Sequence, residues 1–407
     1  MRVRTALVGT TALLLSAAPA GPAVAAGPAA DGRSAGAHAA TRRAIEAAVA
    51  AGAPGATVTV RDTRGTWSAT AGVGDVRTGA PRSAADHYRV GSITKTFVAT
   101  VLLQLEAEGR LTLDDTVDTW LPGLLRGHGH DGRRITLRQL LDHTSGIYGY
   151  TSDDDFVRTY FLADGFFRHR YDTLTPRDLV AIAMRHRPDF APGTSWKYSN
   201  TNYVVAGMVI EKVTGHSYAT EITRRVIRPL RLTATSLPGT RVTVPRPSAR
   251  AYSKLATAAT GPTYDVTELN PSIASAAGEM ISDSADLGRF YSALLRGRLL
   301  PPRQLKEMKT TVPTGDPSGT RYGLGLTDTT LSCGVHVWGH DGAIHGSASS
   351  AVTTADGRHW LALNLNGDWT GGAGAVVEKE FCEKPSRVPA QPSRVPAQPS
   401  RVQAQPS

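Results

Sequence analysis

A serine and a lysine stand three residues apart, Ser92 and Lys95, at the start of an apolar run through Phe97, Val98 and Leu102. In a helix, residues i and i+3 lie on one face, one turn apart, so the lysine amine can reach the serine hydroxyl. The free backbone N–H groups of a first helical turn also favour developing negative charge. The spacing therefore predicts a nucleophilic serine with an amine beside it.

A capping serine followed by a solvated lysine would give the same string, so other signals must support this prediction. Ser92–Lys95 is the only Ser-x-x-Lys of the chain, and Tyr198–Asn200 is the only Tyr-x-Asn. A third element, His340–Gly342, follows in a stretch that reads as a strand. No histidine stands in a Gly-x-Ser-x-Gly or aspartate-linked pattern, so the general base is Lys95 or Tyr198, and the sequence leaves both open.

The order Ser-x-x-Lys, Tyr-x-Asn, His-x-Gly resembles that of the serine penicillin-recognising enzymes. Over about residues 38 to 382 the chain is similar to the secreted actinomycete D-Ala-D-Ala carboxypeptidases and related class C β-lactamase-like hydrolases. The stretches that carry this likeness are Val90–Ser92, His143–Gly146, Tyr198–Tyr203, Tyr322–Leu326 and Leu331–Gly334.

This resemblance implies a secreted serine hydrolase that removes the C-terminal D-Ala of peptidoglycan-type peptides through an acyl-enzyme. Ser92 would be acylated, Lys95 would help to remove its proton, and Tyr198 would pass a proton to the leaving group. Backbone N–H groups of Ser92 and Ala343 would form the oxyanion hole. The substrate-binding residues that the resemblance implies are Asn200, His340, Asp341 and Gly342.

Asp341 departs from the family pattern. Family members of the carboxypeptidase type usually carry threonine or serine there, where the hydroxyl meets the carboxylate of the terminal D-Ala. An aspartate repels that carboxylate unless His340 is protonated or a cation intervenes. The alternatives are therefore an esterase, a D-aminopeptidase or a D-amidase of the same family, with a β-lactamase or a non-turnover penicillin-binding sensor less well supported.

Composition limits the partners. The chain has 407 residues, a net charge of +10 and 41% hydrophobic content, enough for a large core. Its arginines are scattered rather than clustered with aromatic residues, which argues against nucleic acid. The segment His128–Asp131 has metal-ligand residue types but reads as a solvated loop, so no metal and no cofactor are expected. We expect a monomer that binds peptidoglycan stem peptides or other D-amino-acid peptides, with β-lactams as inhibitors.

The two chain ends read as export and linker segments. Residues 1–26 have a basic start, a short apolar run and small residues, which indicate a signal peptide rather than a membrane span. Residues 27–37 read as a flexible N-terminus, and residues 383–407 as a disordered Pro-rich repeat tail. An exported chain with two cysteines predicts one disulfide, Cys333 to Cys382.

The predicted fold class is α/β, more closely α+β, of the β-lactamase/DD-peptidase type: an antiparallel sheet flanked by helices, plus an all-helical region. Residues 38–95 and 275–382 would supply the sheet part, and residues 96–274 the helical part. Alternation predicts a hairpin of strands 56–62 and 66–71. Helices are predicted at Thr41–Ala51, after Ser92, at Asn202–Val213, at 278–296 with Asp283 or Ser284 as cap, and at 374–381.

Overall fold

The structure is a computed structural model that describes residues 38 to 382. The predicted signal peptide, flexible N-terminus and repeat tail lie outside the described residues. Within them, five long strands carry the sheet and short strands extend or flank it. The strands are β1 (Gly55–Asp62), β2 (Gly65–Asp75), β3 (Ala80–Pro81), β4 (Tyr88–Arg89), β5 (Arg126–Gly127), β6 (His130–Asp131), β7 (Tyr252–Ser253), β8 (Tyr264–Asp265), β9 (Ile281–Ser282), β10 (Val312–Pro313), β11 (Arg321–Tyr322), β12 (Thr327–Thr330), β13 (His336–Ile344), β14 (Ser347–Thr354) and β15 (Trp360–Leu365).

The helices fall mostly between the two halves of the sheet. They are α1 (Ala39–Ala50), α2 (Thr94–Ala107), α3 (Val117–Trp120), α4 (Leu137–Leu141), α5 (Asp154–Tyr160), α6 (Ala163–His169), α7 (Pro176–Met184), α8 (Asn200–Thr214), α9 (Tyr218–Ile222), α10 (Arg228–Leu230), α11 (Ser284–Leu295), α12 (Pro302–Met308) and α13 (Ala373–Cys382). None of the helices between residues 38 and 382 combines the length and apolarity needed to cross a membrane.

The main sheet is built from both ends of the described chain. Its strand order is β10-β11-β12-β13-β14-β15-β1-β2-β3, and every neighbouring pair is antiparallel. The hairpin β1–β2 has the predicted place, with Val58 opposite Ala69. The predicted fold class, an antiparallel sheet flanked by helices, is therefore confirmed.

Two apolar cores lie on opposite faces of the sheet. A smaller one joins the sheet to α1 and α13 through residues such as Ile45, Val58 and Val376. The larger one joins the other face to α2, α8 and α11. Helices α2 and α8 are buried on nearly all sides, as expected of helices that pass through a core. Because they cannot shift easily, they are rigid supports for side chains at their N-termini.

Three predicted boundaries need correction. The helix predicted over residues 278–296 begins only at Ser284, because Ile281–Ser282 pair with Tyr88–Arg89 as a short strand. Its cap, predicted as Asp283 or Ser284, is Asp283. Asn200, predicted to precede its helix, is the first residue of α8. Helix α1 begins at Ala39, two residues earlier than predicted.

The disulfide Cys333–Cys382 is present, with the two Cα atoms 5.6 Å apart. It ties the turn before β13 to the end of α13. Since β13 carries the His340–Gly342 motif, the disulfide fixes one end of the strand that the sequence analysis assigns to substrate.

Candidate active site

Ser92 lies in a single 3₁₀ turn, Gly91–Ile93, directly before α2, and is partly buried. The turn is pressed against β13. A Cβ atom at Gly91, where φ is +53°, would lie 2.8 Å from the backbone N of Ala343. A Cβ atom at Gly342 would lie 1.9 Å from the carbonyl oxygen of Val90 and 3.2 Å from the backbone N of Ser92. Only glycine fits at either position, because any side chain would clash with the neighbouring backbone. The missing side chains allow the Ser92 turn and β13 to lie close together, with the backbone amides of Ser92 and Ala343 at their contact.

Lys95 is fully buried, and its Nζ atom contacts three oxygens. These are Oγ of Ser92 at 2.9 Å, Oδ1 of Asn200 at 2.8 Å and the carbonyl oxygen of Ala277 at 2.7 Å. Burial lowers the pKa of the Lys95 amine well below its ordinary value of 10.5. The site therefore favours the neutral amine of Lys95 far more than water does.

A neutral amine has two N–H donors and one lone pair, which accounts for all three contacts. The carbonyl of Ala277 can only accept, so it receives one N–H. Nδ2 of Asn200 donates to Oγ1 of Thr151 at 3.1 Å, which turns Oδ1 of Asn200 toward Lys95 to receive the other. The lone pair of Lys95 remains for the hydroxyl proton of Ser92. This is the arrangement that a serine nucleophile requires of its general base.

Tyr198 contacts both the nucleophile and the amine. Its ring centre is 4.8 Å from Nζ of Lys95, and its phenol is hydrogen-bonded to Ser92. Burial raises the pKa of the phenol far above 10, more than the bond to Ser92 lowers it. Tyr198 is therefore a protonated phenol at neutral pH, able to donate a proton but not to act first as a base.

His143 holds the Tyr198 loop in place, a role that sequence reasoning did not assign. Its Nδ1 accepts the backbone N–H of Ser199 at 3.2 Å and Nδ2 of Asn202 at 3.1 Å. The ring packs 4.3 Å from that of Tyr198. Burial lowers the pKa of His143 well below 6.5, so the ring is neutral. The stretch His143–Gly146 was part of the family resemblance, but nothing in its spacing relates it to Tyr198.

His340 is also neutral. Its Nδ1 is 2.5 Å from the carbonyl oxygen of Asp341, so Nδ1 carries the proton, and its Nε2 accepts the hydroxyl of Tyr322 at 2.8 Å. Burial, followed by the nearby Lys95, lowers the pKa of His340 to about 3. The His340 ring therefore brings no positive charge to this strand at physiological pH.

Asp341 is exposed on β13, opposite Ser350 of β14. The surrounding protein removes water from the carboxyl and raises its pKa above 3.8, whereas a hydrogen bond with Ser350 lowers that pKa. The negative charge of Asp341 raises the pKa of the Tyr198 phenol. The carboxylate therefore lies close enough to act electrostatically on the group that is hydrogen-bonded to Ser92. The structure thus brings all the sequence-predicted site residues to one cleft, between β13 and the N-termini of α2 and α8.

Comparison with known proteins identifies the family to which the chain belongs. The family model described as Beta-lactamase matches residues 41–374. The chain belongs to the beta-lactamase family.

Among solved structures of this beta-lactamase fold, a D-stereospecific amidohydrolase from Streptomyces sp. is 60% identical, with a TM-score of 0.81. The match covers 85% of this chain and 98% of that one. The D-amino acid amidase of Ochrobactrum anthropi SV3, solved with L-phenylalanine amide, is 27% identical, with a TM-score of 0.73 over 84% of this chain and 96% of that one.

Curated relatives in this family are more distant. PbpX of Bacillus subtilis, assigned by name as a penicillin-binding protein, is 28% identical over 239 residues, 59% of this chain. The match spans only 53% of that relative, about half its length, so its activity cannot be read directly onto this chain.

The His128–Asp131 segment lies apart from the nucleophile, in the short hairpin β5–β6. Asp131 accepts hydrogen bonds from Arg133, and Nδ1 of His128 contacts the carbonyl oxygen of Met184 at 2.9 Å. Between residues 38 and 382, no three His, Cys, Asp or Glu side chains are grouped as metal ligands.

Proposed function

We propose that this serine hydrolase is a D-stereospecific amidohydrolase, which cleaves amides of D-amino acids through an acyl-enzyme on Ser92. The observation that carries the proposal is that the carboxylate of Asp341 stands next to a His340 ring that is neutral and cannot offset its charge. A substrate with a free carboxylate beside β13 would meet a negative charge that the His340 ring does not offset. A primary amide has no such charge, and its NH₂ group can donate to a carboxylate.

The proposed mechanism assigns one proton to each step. The lone pair of Lys95 takes the hydroxyl proton of Ser92 as Oγ attacks the amide carbonyl, and the N–H groups of Ser92 and Ala343 stabilise the oxyanion. The Tyr198 phenol gives its proton to the leaving nitrogen and regains one from the Lys95 ammonium. The C–N bond then breaks, ammonia leaves and the ester on Ser92 remains. Water hydrolyses that ester with Lys95 again neutral and acting as base.

The structural relatives support the substrate class. Two of the solved structures that match most of this chain are named for hydrolysis of D-amino acid amides or D-stereospecific amide hydrolysis, one of them at 60% identity. The 60% identity holds over 85% of this chain rather than over a short segment.

The D-Ala-D-Ala carboxypeptidase activity is the second candidate. The order of the three motifs favours it, and PbpX bears a penicillin-binding name. That activity requires the substrate's terminal carboxylate to be accepted, and Asp341 opposes this. For the same reason β-lactams, which carry a carboxylate, are proposed to acylate Ser92 only slowly. Peptidoglycan stem peptides belong to this second candidate as partners.

Export to the outside of the cell remains a proposal that rests mainly on residues 1–26, and the monomeric state remains a prediction. The Cys333–Cys382 disulfide supports export, because disulfides persist in oxidising compartments and are rare in the cytosol.

The test is ammonia release from D- and L-amino acid amides by the purified protein, with Ser92→Ala as control. The proposal predicts hydrolysis of the D-amide, at least tenfold faster than of the L-amide, and lost in Ser92→Ala. Equal rates for the two enantiomers, or activity that survives in Ser92→Ala, would reject it.

A further inference from the structure

A cavity of about 490 Å³ opens beside the oxyanion position, and no step of the proposed mechanism uses it. Ala343 belongs to both the oxyanion position and the cavity. Its backbone N lies against the Ser92 turn, and the residue also lines the cavity. The cavity continues past Ala343 along the end of β13, through Ile344 and His345. We call it the β13-end cavity.

The walls of the β13-end cavity are mainly apolar and come from four separate segments. The apolar residues among its lining are Val157, Phe161, Leu162, Leu255, Ile344 and Trp369. Phe161 is 37% exposed, one of the few large apolar side chains of residues 38–382 left open to solvent. An apolar concavity of this size is typical of a small-molecule site rather than a packing defect.

The side of the nucleophile on which the cavity lies decides which part of the substrate it receives. Lys95 and Tyr198, the groups proposed to move protons to the leaving nitrogen, both contact Ser92. None of these residues lines the β13-end cavity. The cavity therefore lies apart from the proton-transfer groups, which favours the acyl group over the leaving group as its occupant.

The polar groups of the cavity are largely occupied within the protein. Nε2 of His345 donates to the carbonyl oxygen of Tyr160 at 2.7 Å, and burial lowers the pKa of its ring to about 4. Lys254 donates to the carbonyl oxygen of Gly261 and Oγ1 of Thr263, both at 2.8 Å. A ligand in the cavity would therefore meet mostly apolar surface.

We propose that the β13-end cavity binds the side chain of the D-residue being acylated, and that it selects large apolar side chains such as those of D-phenylalanine and D-leucine over the methyl group of D-alanine. This inference rests on the proposed function and names the substrate class of the same site. It also separates the chain from a hydrolase of D-Ala-D-Ala, whose acylating residue has only a methyl side chain.

The experiment compares kcat/KM for D-phenylalanine amide, D-leucine amide and D-alanine amide, which share one leaving group. The wild-type protein should prefer D-phenylalanine amide to D-alanine amide by at least about tenfold, because apolar pockets gain that much from added apolar groups. If Ser92-dependent hydrolysis occurs but D-alanine amide is as good a substrate or better, the inference fails while the proposed function stands. If no D-amide is hydrolysed, the proposed function itself fails.

Two variants test the cavity directly. Ala256→Trp places a large ring on an exposed position of the lining, where folding should tolerate it, and should lower kcat/KM for D-phenylalanine amide about tenfold while sparing D-alanine amide. Phe161→Ala should also reduce the preference, whereas the matched control Phe167→Ala should not. Phe167 is similarly exposed at 44% on the next helix and does not line the cavity. Equal losses for all three amides would overturn the inference.

Discussion

Nζ of Lys95 lies 2.9 Å from Oγ of Ser92, and its two other partners are oxygens that can only accept, Oδ1 of Asn200 and the carbonyl of Ala277. Because burial favours the neutral amine and these two oxygens take its N–H groups, the lone pair of that form is left for the Ser92 hydroxyl. The base that the sequence left open between Lys95 and Tyr198 is thereby assigned, as a proposal, to Lys95.

Replacing Lys95 should slow acylation strongly without unfolding the site. Lys95→Gln keeps a donor for Ala277 but removes the basic lone pair, so kcat/KM should fall about 10²- to 10⁴-fold, the usual range for loss of a general base. The control Lys212→Gln changes an exposed lysine of α8 and should have no effect. A Lys95→Gln protein with near wild-type kcat/KM would assign the base elsewhere.

The pH dependence of acylation should follow the Lys95 amine. Because burial lowers its pKa, the base form is already present well below pH 10.5, and kcat/KM should rise with pH to a plateau that is reached well short of 10.5. The measurement is the pH profile of D-amide hydrolysis. A rise that reaches its plateau only near pH 10.5 would mean that Lys95 is an ordinary, charged lysine.

Removing the charge of Asp341 should change the preferred leaving group. In Asp341→Thr, the ratio of kcat/KM for a peptide with a free C-terminal carboxylate to that for its amide should rise about tenfold or more, because the like-charge repulsion is lost. Asp341→Asn is the matched variant that removes the charge without adding a hydroxyl. If neither variant alters the ratio, Asp341 does not select the substrate.

Glu380 should stabilise the fold above pH 5 and lose this effect in acid. Burial would raise the pKa of its carboxyl, but hydrogen bonds with His359, His38 and Thr41 outweigh burial and lower it from 4.5 to about 2. A carboxyl whose folded-state pKa is depressed stabilises above its unfolded pKa of 4.5, and that stability is lost as pH falls through about 2. The contribution at neutral pH is about 3 kcal/mol.

The measurement for Glu380 is the free energy of unfolding in urea between pH 7 and pH 2. Glu380→Gln should be less stable at pH 7 and should show a flatter decline in acid than the wild type. Glu46→Gln, an exposed change on α1, serves as control. Parallel pH curves for Glu380→Gln and the wild type would contradict this account.

Loss of the disulfide should destabilise the sheet end of the fold. Cys333 and Cys382 are separated by 49 residues, and closing a loop of that length stabilises by about 4 kcal/mol on the chain-entropy model. The Cys333→Ser, Cys382→Ser double variant should therefore melt at lower temperature, and dithiothreitol should shift the wild type but not the variant. An unchanged melting temperature in the variant would show that α13 docks without the disulfide.

The sequence predicts the residues that lie close together by helical spacing or shared motif. Ser92 and Lys95 are one turn apart, and glycines such as Gly215, at φ +75°, mark where helices end. Local sequence pattern predicts secondary structure less well where strand pairing between distant segments competes with it. Residues 278–283 are included in a predicted helix, but Ile281 pairs with Arg89 instead.

Other parts of the site have no local signal. The carbonyl of Ala277 contacts Lys95 from 182 positions away and is a backbone group, which any residue supplies. The hydroxyl of Tyr322 is hydrogen-bonded to Nε2 of His340, yet nothing in either segment indicates the other. The β13-end cavity is formed where four segments meet, so it exists only in the folded chain.

The most direct test of the central claim uses one peptide in two forms, diacyl-L-Lys-D-Ala-D-Ala with a free carboxylate and the same peptide as its C-terminal amide. Release of D-alanine from the acid and of D-alanine amide or ammonia from the amide is measured for the wild type and Ser92→Ala. The account predicts that the amide form is cleaved faster and that Ser92→Ala cleaves neither. Faster cleavage of the free acid, lost in Ser92→Ala, would contradict the account and establish a D-Ala-D-Ala carboxypeptidase.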